Sequence, residues 1–191
     1  VVVNHREDNE LDVYIDYGPE GLKRNDGCSF DITLPATAGI SVLTRNGAVS
    51  LSGTQGPADV QTSNGRIEVV DHQGPLNAQT SNGRIEADRI AGQCSLVTSN
   101  GSVTYTASAR TTGPFVIETS NGSVKATVPD SIGGRITTRT SNGSTTVIGE
   151  PAFEIVASTK RSKTVLLDDQ ADPISRIRTS NGSITVLIVD G

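Results

Sequence analysis

The chain has 191 residues, enough for one domain with a substantial core, yet only 34% are apolar and 3% aromatic. A core so short of rings has to be filled by Val, Ile, Leu, Ala and Thr, which suits thin, layered β structure. The net charge of −5 argues against nucleic acid as a partner, since that needs a basic stripe with stacking aromatics, and no stretch approaches the roughly 20 apolar residues of a transmembrane helix.

The sequence contains no Met, even at position 1, which points to a processed or trimmed product and leaves room for a removed leader or anchor. Residues 1–43 are irregular. Leu11-Asp12-Val13-Tyr14-Ile15-Asp16-Tyr17 alternates, and so does Phe30-Asp31-Ile32-Thr33-Leu34 before Pro35. Both are expected to be degenerate early coils capping the N-terminal end, with a charged loop over 17–27 between them.

Regular repeats occupy 44–191, expected as one continuous domain. Thr44-Arg45-Asn46-Gly47 is followed by six copies of Thr-Ser-Asn-Gly, starting at Thr62, Thr80, Thr98, Thr119, Thr140 and Thr179. The spacings are 18, 18, 18, 21, 21 and 39. The last gap equals one 18- and one 21-residue repeat, so a hidden copy is expected at Ser158-Thr159-Lys160-Arg161-Ser162-Lys163-Thr164-Val165. That copy has lost its Asn-Gly but would keep its register with Thr140 to Val147.

The flanking columns carry the same period. After each motif come Val49/Leu51, Ile67/Val69, Ile85/Ala87, Val103/Tyr105, Val124/Ala126 and Ile184/Val186; before it come Ile40/Val42, Ala58/Val60, Leu76/Ala78, Cys94/Leu96 and Phe115/Ile117. These are alternating strands with one buried face, and the motif Thr falls on that face as well. A second glycine column, Gly56, Gly74, Gly92, Gly113 and Gly134, marks the other turn. The extra triplets of the 21-residue coils enter between the two strands. The reading is a right-handed parallel β-helix (a β-solenoid) with 18–21-residue coils, nine or ten of them, making a rod roughly 45 Å tall. Asn-Gly is also a hairpin signal, so the alternative is an antiparallel β meander or barrel.

The residues singled out are a structural turn ladder: Asn46, Gly47, Asn64, Gly65, Asn82, Gly83, Asn100, Gly101, Asn121, Gly122, Asn142, Gly143, Asn181 and Gly182. Asn tolerates the left-handed backbone region, Gly needs no Cβ there, and stacked Asn amides can bond from coil to coil. On that argument Gly122→Val destabilises through φ, and Lys160→Asn with Arg161→Gly restores a missing rung. At the C-terminal end, Val186-Leu187-Ile188-Val189 reads as a buried last strand or an exposed edge.

The spaced series, with Leu34-Pro35-Ala36 leading into Gly39-Ile40-Ser41-Val42 and the first Asn-Gly, resembles a family of bacterial adhesin-like domains of unknown function. The resemblance covers about residues 10–190. It implies a single-stranded right-handed β-helix in an extracytoplasmic setting, often tethered to a cell envelope, and it brings no catalytic residues.

Other chemistry is sparse. Cys28 and Cys94 lie too many coils apart for a disulfide, and Cys94 falls in an apolar column as a small hydrophobe. His5 and His72 have no neighbours suggesting a triad or metal cluster, and His72 reads as a surface residue of a coil loop. Asn100, Asn121, Asn142 and Asn181 form Asn-Gly-Ser sequons but read as structural. The best acidic cluster, Asp168, Asp169 and Asp172 near Lys160, Arg161 and Lys163, reads first as a solvated loop and second as a site. No cofactor and no metal are expected. The functional expectation is a non-catalytic, extracellular or cell-surface scaffold that binds carbohydrate or protein. The alternatives are a self-assembling subunit stacked end to end through β edges, and a carbohydrate-active β-helix enzyme.

Overall fold

The computed structural model describes residues 2–5, 11–14, 39–111, 113–149, 153–168 and 172–191. The chain divides into two compact units, Val1–Leu34 and Pro35–Gly191. In the first, β1 (Val2–His5) pairs antiparallel with β2 (Leu11–Tyr14), so that Val2 faces Tyr14 and His5 faces Leu11. The degenerate coil expected from Leu11 onward is therefore half of a hairpin. Its link to β1 is far too short for the crossover that a parallel pair needs. The segments 17–27 and 30–34 and Cys28 lie outside the described residues.

In the second unit the strands come in pairs, odd-numbered strands entering one sheet and even-numbered strands another, except that β16 joins β15 in the odd-numbered sheet. The first ten after the hairpin are β3 (Ile40–Thr44), β4 (Val49–Ser52), β5 (Ala58–Thr62), β6 (Ile67–Gln73), β7 (Leu76–Asn82), β8 (Ile85–Ala91), β9 (Cys94–Asn100), β10 (Val103–Ala107), β11 (Phe115–Asn121) and β12 (Val124–Pro129). A short 3-10 turn, Asp130–Ile132, leads to β13 (Arg135–Asn142) and β14 (Thr145–Gly149). The last four strands are β15 (Glu154–Ser158), β16 (Ser162–Leu166), β17 (Ile174–Asn181) and β18 (Ile184–Val189).

One sheet has nine strands in the order β15-β16-β13-β17-β11-β9-β7-β5-β3, and the other seven in the order β14-β18-β12-β10-β8-β6-β4. Motif stacks on motif: Thr62 pairs with Thr44 and Thr80, Asn100 with Asn82 and Asn121. The seven-stranded sheet is parallel throughout, unlike a meander, in which sequence neighbours pair antiparallel.

The order in space is not the order in sequence. The final pair, β17 and β18, is inserted between β11/β12 and β13/β14, so that Asn181 pairs with both Asn121 and Asn142. The apolar run 186–189 is thus an interior strand rather than an end strand, with Val186 and Ile188 buried between two neighbours. The hidden copy at 158–165 is absent as well. β16 runs antiparallel to β13, Val165 opposite Ile136, and antiparallel to β15 across a turn at Lys160 and Arg161. Its match to Thr140 to Val147 reflects shared strand alternation, which reads the same in either direction. The described strands make seven paired layers plus this hairpin, fewer than the nine or ten coils expected.

The core lies between the two sheets, and the inward columns fill it: Val60, Ile67, Val69, Ile85, Leu96, Ile117, Ile177, Ile184 and Val186 are fully buried. Among the described residues its one aromatic contact is Tyr105 with Phe115, ring centroids 5.1 Å apart and tilted by 41°. Tyr105 fits because its register neighbours on either side are Ala87 and Ala126, and Phe115 is preceded in its column by Cys94. Small residues beside large ones let the layers interdigitate without voids.

Candidate binding face

The turn ladder is continuous through all seven layers. Each Asn Nδ2 donates to the Oδ1 of the Asn beneath it: Asn64 to Asn46, Asn82 to Asn64, Asn100 to Asn82, Asn121 to Asn100, Asn181 to Asn121 and Asn142 to Asn181, all at 2.8–2.9 Å. One rung inside, each motif Thr Oγ1 donates to the glycine carbonyl of the layer below, as in Thr62 to Gly47 (3.2 Å), Thr119 to Gly101 (2.9 Å), Thr179 to Gly122 (2.9 Å) and Thr140 to Gly182 (2.9 Å). Both ladders pass through the inserted layer without a break.

The reason for glycine in the motif differs from the one expected. None of these glycines or asparagines has a positive φ; that conformation belongs to the second glycine column, for example Gly74 at 135° and Gly92 at 141°. A Cβ on Gly65, Gly83, Gly101, Gly122, Gly143 or Gly182 would instead lie 1.9–2.1 Å from the glycine carbonyl oxygen of the layer beneath. Gly47, in the first layer, would meet nothing closer than 3.2 Å.

His72 is corrected from a surface loop to the core: it lies on β6 and is fully buried. Its Nε2 sits 3.3 Å from the Pro75 carbonyl, which can only accept, so Nε2 carries the proton and Nδ1 accepts from the Thr54 hydroxyl at 2.8 Å. Burial holds its pKa below the ordinary 6.5, chiefly by desolvation. Cys94 is buried as a free thiol, and desolvation pushes its pKa up to about 12, away from any nucleophilic thiolate.

The acidic and basic groups read first as a solvated loop and second as a site are separated by β16. Lys160 and Arg161 occupy the turn at one end, Asp168 and Asp172 lie beyond the other, and Asp169 is outside the described residues. A strand advances ~3.3 Å per residue, which puts Arg161 and Asp168 roughly 20 Å apart. Lys163 Nζ donates to Ser158 Oγ at 2.8 Å, and Asp168 lies close to Gly133. Among the described residues no three His, Cys, Asp or Glu side chains gather closely enough to hold a metal ion. No helix is long and apolar enough to cross a membrane.

The outward faces are patterned by layer. On the seven-stranded sheet and its corner, Arg66 pairs with Glu68 (2.9 Å) and Glu86 (2.5 Å), Arg84 with Glu86 (3.3 Å), and Arg89 with Asp71 (2.6 and 2.8 Å) and Asp88. Asp71 and Arg89 both adopt positive φ, at 55° and 54°, so the ion pair joins two equivalent bends one layer apart. Arg89 accordingly holds the Asp71 carboxyl below its usual range. Where the nine-stranded sheet meets the Asn corner there is a shallow groove of about 230 Å³ crossing the four layers of β9, β11, β17 and β13. No residue of this groove other than the motif itself stood out in the sequence, because the layers that form it adjoin only after β17 is inserted. No protein-family model, curated protein or solved structure matches the chain.

Proposed function

We propose that the second unit is a right-handed β-solenoid, and that the chain is a non-catalytic, extracytoplasmic or cell-surface scaffold of adhesin-like type that binds ligands on its side faces. The observation that carries this reading is the uninterrupted Asn and Thr ladder over seven layers. With backbone pairing on either side, it locks outward side chains into rows ~4.8 Å apart, a rigid surface of the kind repeat proteins use for recognition. The end of the stack supports side-face use. The turn of the β15–β16 hairpin accepts hydrogen bonds from Thr140 N–H (to the Arg161 carbonyl, 2.8 Å) and Thr145 N–H (to the Lys160 carbonyl, 3.0 Å), groups a further layer would otherwise receive. An antiparallel flap over that edge works against continuation of the parallel ladder by another copy. The resemblance of the repeat series to bacterial adhesin-like domains supports the extracytoplasmic setting.

A second reading, end-to-end self-assembly, is favoured by one observation. Among the described strands β14 pairs only with β18, and Ile148, Ile155 and Val156 on the last strands of the two sheets are 53%, 49% and 53% exposed. Negative-stain electron microscopy with light scattering over a concentration series separates the two. Monodisperse particles that retain affinity for bacterial or host cell surfaces are expected. Filaments growing along the stack axis would overturn the side-face reading in favour of self-assembly.

A further inference from the structure

Three of the ten arginines of the second unit are in ion pairs among the described residues, and of the others Arg139, Arg176 and Arg178 lie together on one sheet face. Arg66, Arg84 and Arg89 are all neutralised by carboxylates. Arg139 on β13 and Arg176 and Arg178 on β17 are exposed, and none has a hydrogen-bond or ion-pair partner among the described residues. Register makes this arrangement unfavourable by itself. Arg178 is the direct cross-strand partner of Arg139, with Arg176 two residues away on the same face, and like charges opposite each other destabilise a sheet. The acid in that row, Glu118, lies on the other side of Arg178 and forms no ion pair with it. A chain of net charge −5 has carboxylates to spare, yet none of the described ones forms an ion pair with Arg139.

Arg139 and Arg178 line the groove of about 230 Å³, and beside them runs a row of hydroxyls, one per layer: Ser99, Ser120, Ser180 and Ser141. The groove, which Glu118 also lines beside Arg178, therefore offers two guanidinium forks against one carboxylate, the forks suited to bidentate recognition of an oxyanion, and a file of donor-acceptor hydroxyls at the ~4.8 Å layer spacing. No aromatic ring lines it, so neither a nucleic-acid base nor the apolar face of a neutral sugar finds a stacking surface. We propose that this groove binds an acidic oligosaccharide, its carboxylate or sulfate groups on Arg139 and Arg178 and its ring hydroxyls along the serine row. An extended sugar chain advances by about one layer per residue, so successive sugars meet successive serines. The proposal rests on the side-face reading above and names its ligand class and site.

The test is titration of the whole chain, by calorimetry, with an oligogalacturonide, a heparin-derived oligosaccharide, a neutral cello-oligosaccharide and a single-stranded oligonucleotide. Acidic sugars should bind and the neutral one should not. Arg139→Gln with Arg178→Gln should weaken binding at least about tenfold, as for truncation of a charge-assisted pair, while Arg66→Gln on the other sheet should leave it unchanged. Both arginines are exposed, so the double variant should melt no lower than the parent, and this checks that it folds. The oligogalacturonide and heparin arms distinguish carboxylate from sulfate. Equal binding by the double variant, equal binding of the neutral sugar, or Arg-dependent preference for the oligonucleotide would overturn the site. A chain that adheres to cells but ignores acidic sugars overturns the site alone; one that does neither overturns the side-face reading too.

Discussion

The layers from β3 to β10 and those from β11 to β18 carry the same motif but are assembled differently. In the lower group every Asn ladder bond joins residues 18 apart, as in Asn64 to Asn46 and Asn100 to Asn82. In the upper group the equivalent bonds span 60 residues, from Asn181 to Asn121, and 39, from Asn142 to Asn181. The rungs are alike in length and partners, so the difference lies in what must be ordered before they form. A lower layer needs only its sequence neighbour, whereas β13/β14 can dock only when the C-terminal pair has arrived to fill the slot. Closing longer loops costs more entropy and slows folding. The upper group is therefore the more cooperative and the more vulnerable half.

The sharpest way to break this comparison is cross-linking. In a background with Cys94→Ala and Cys28→Ala, Asn121→Cys with Asn181→Cys should form a disulfide in high yield, since adjacent parallel strands hold Cα atoms ~4.8 Å apart. Asn121→Cys with Asn142→Cys should not, being two layers apart. A high yield from the second pair and none from the first would restore the sequential order.

Next in size is removal of residues 174–191. Ile177, Ile184, Val186 and Ile188 are all buried, and each is worth roughly 1.5–3 kcal/mol. Hydrogen exchange should show protection lost over 135–149 but kept over 58–100. Persistent protection at 135–149 would mean that β13 and β14 dock directly on β11 and β12, and that the insertion is dispensable.

A glycine pair sharpens the comparison within the ladder. Gly182→Ala drives a Cβ into the Gly122 carbonyl and should cost on the order of 3 kcal/mol, as overpacking against backbone does. Gly47→Ala, with no described residue closer than 3.2 Å to the added Cβ, should change stability by less than about 0.5 kcal/mol. Chemical denaturation of the two variants checks this, and equal effects would remove the stacking explanation.

The smallest effect belongs to the lower group. His72 has a folded pKa below 6.5, so below that pH the unfolded chain takes up a proton that the folded chain resists. Stability should be fully present above pH 6.5 and fall as the pH drops below it. His72→Gln should flatten this part of the profile measured by thermal melts. An unchanged slope would mean that the imidazole protonates without leaving the core.

Much of this architecture was legible because a repeated column is a strong statement about burial. The alternation around each motif placed Ile67, Val69, Leu96 and Ile184 facing inward, and the motif Thr with them. Errors arose where a residue was judged by its immediate neighbours. His72 sits between Asp71 and Gln73 and looked exposed, but the positive φ at Asp71 turns its side chain back into the core. The motif glycines looked like turn residues, while their requirement comes from a carbonyl in another layer. The arginine-lined groove was invisible because Arg139 and Arg178 are 39 positions apart in the chain and meet only as strand partners.

What the amino-acid order determined by itself was the content of a layer: which residues face inward, where the corners fall, and how long the strands run. The order of the layers was decided only in three dimensions. Each Thr-Ser-Asn-Gly copy presents the same donors and acceptors above and below, so any copy can stack on any other with nearly equal ladder energy. That degeneracy is broken by the connections: the 3-10 turn and Gly133-Gly134 that step across the inserted layer, the Arg135 N–H that donates to the Pro173 carbonyl at 2.9 Å, and the hairpin that closes the end. A repeat specifies its own cross-section well, and leaves its neighbours to be chosen by the loops.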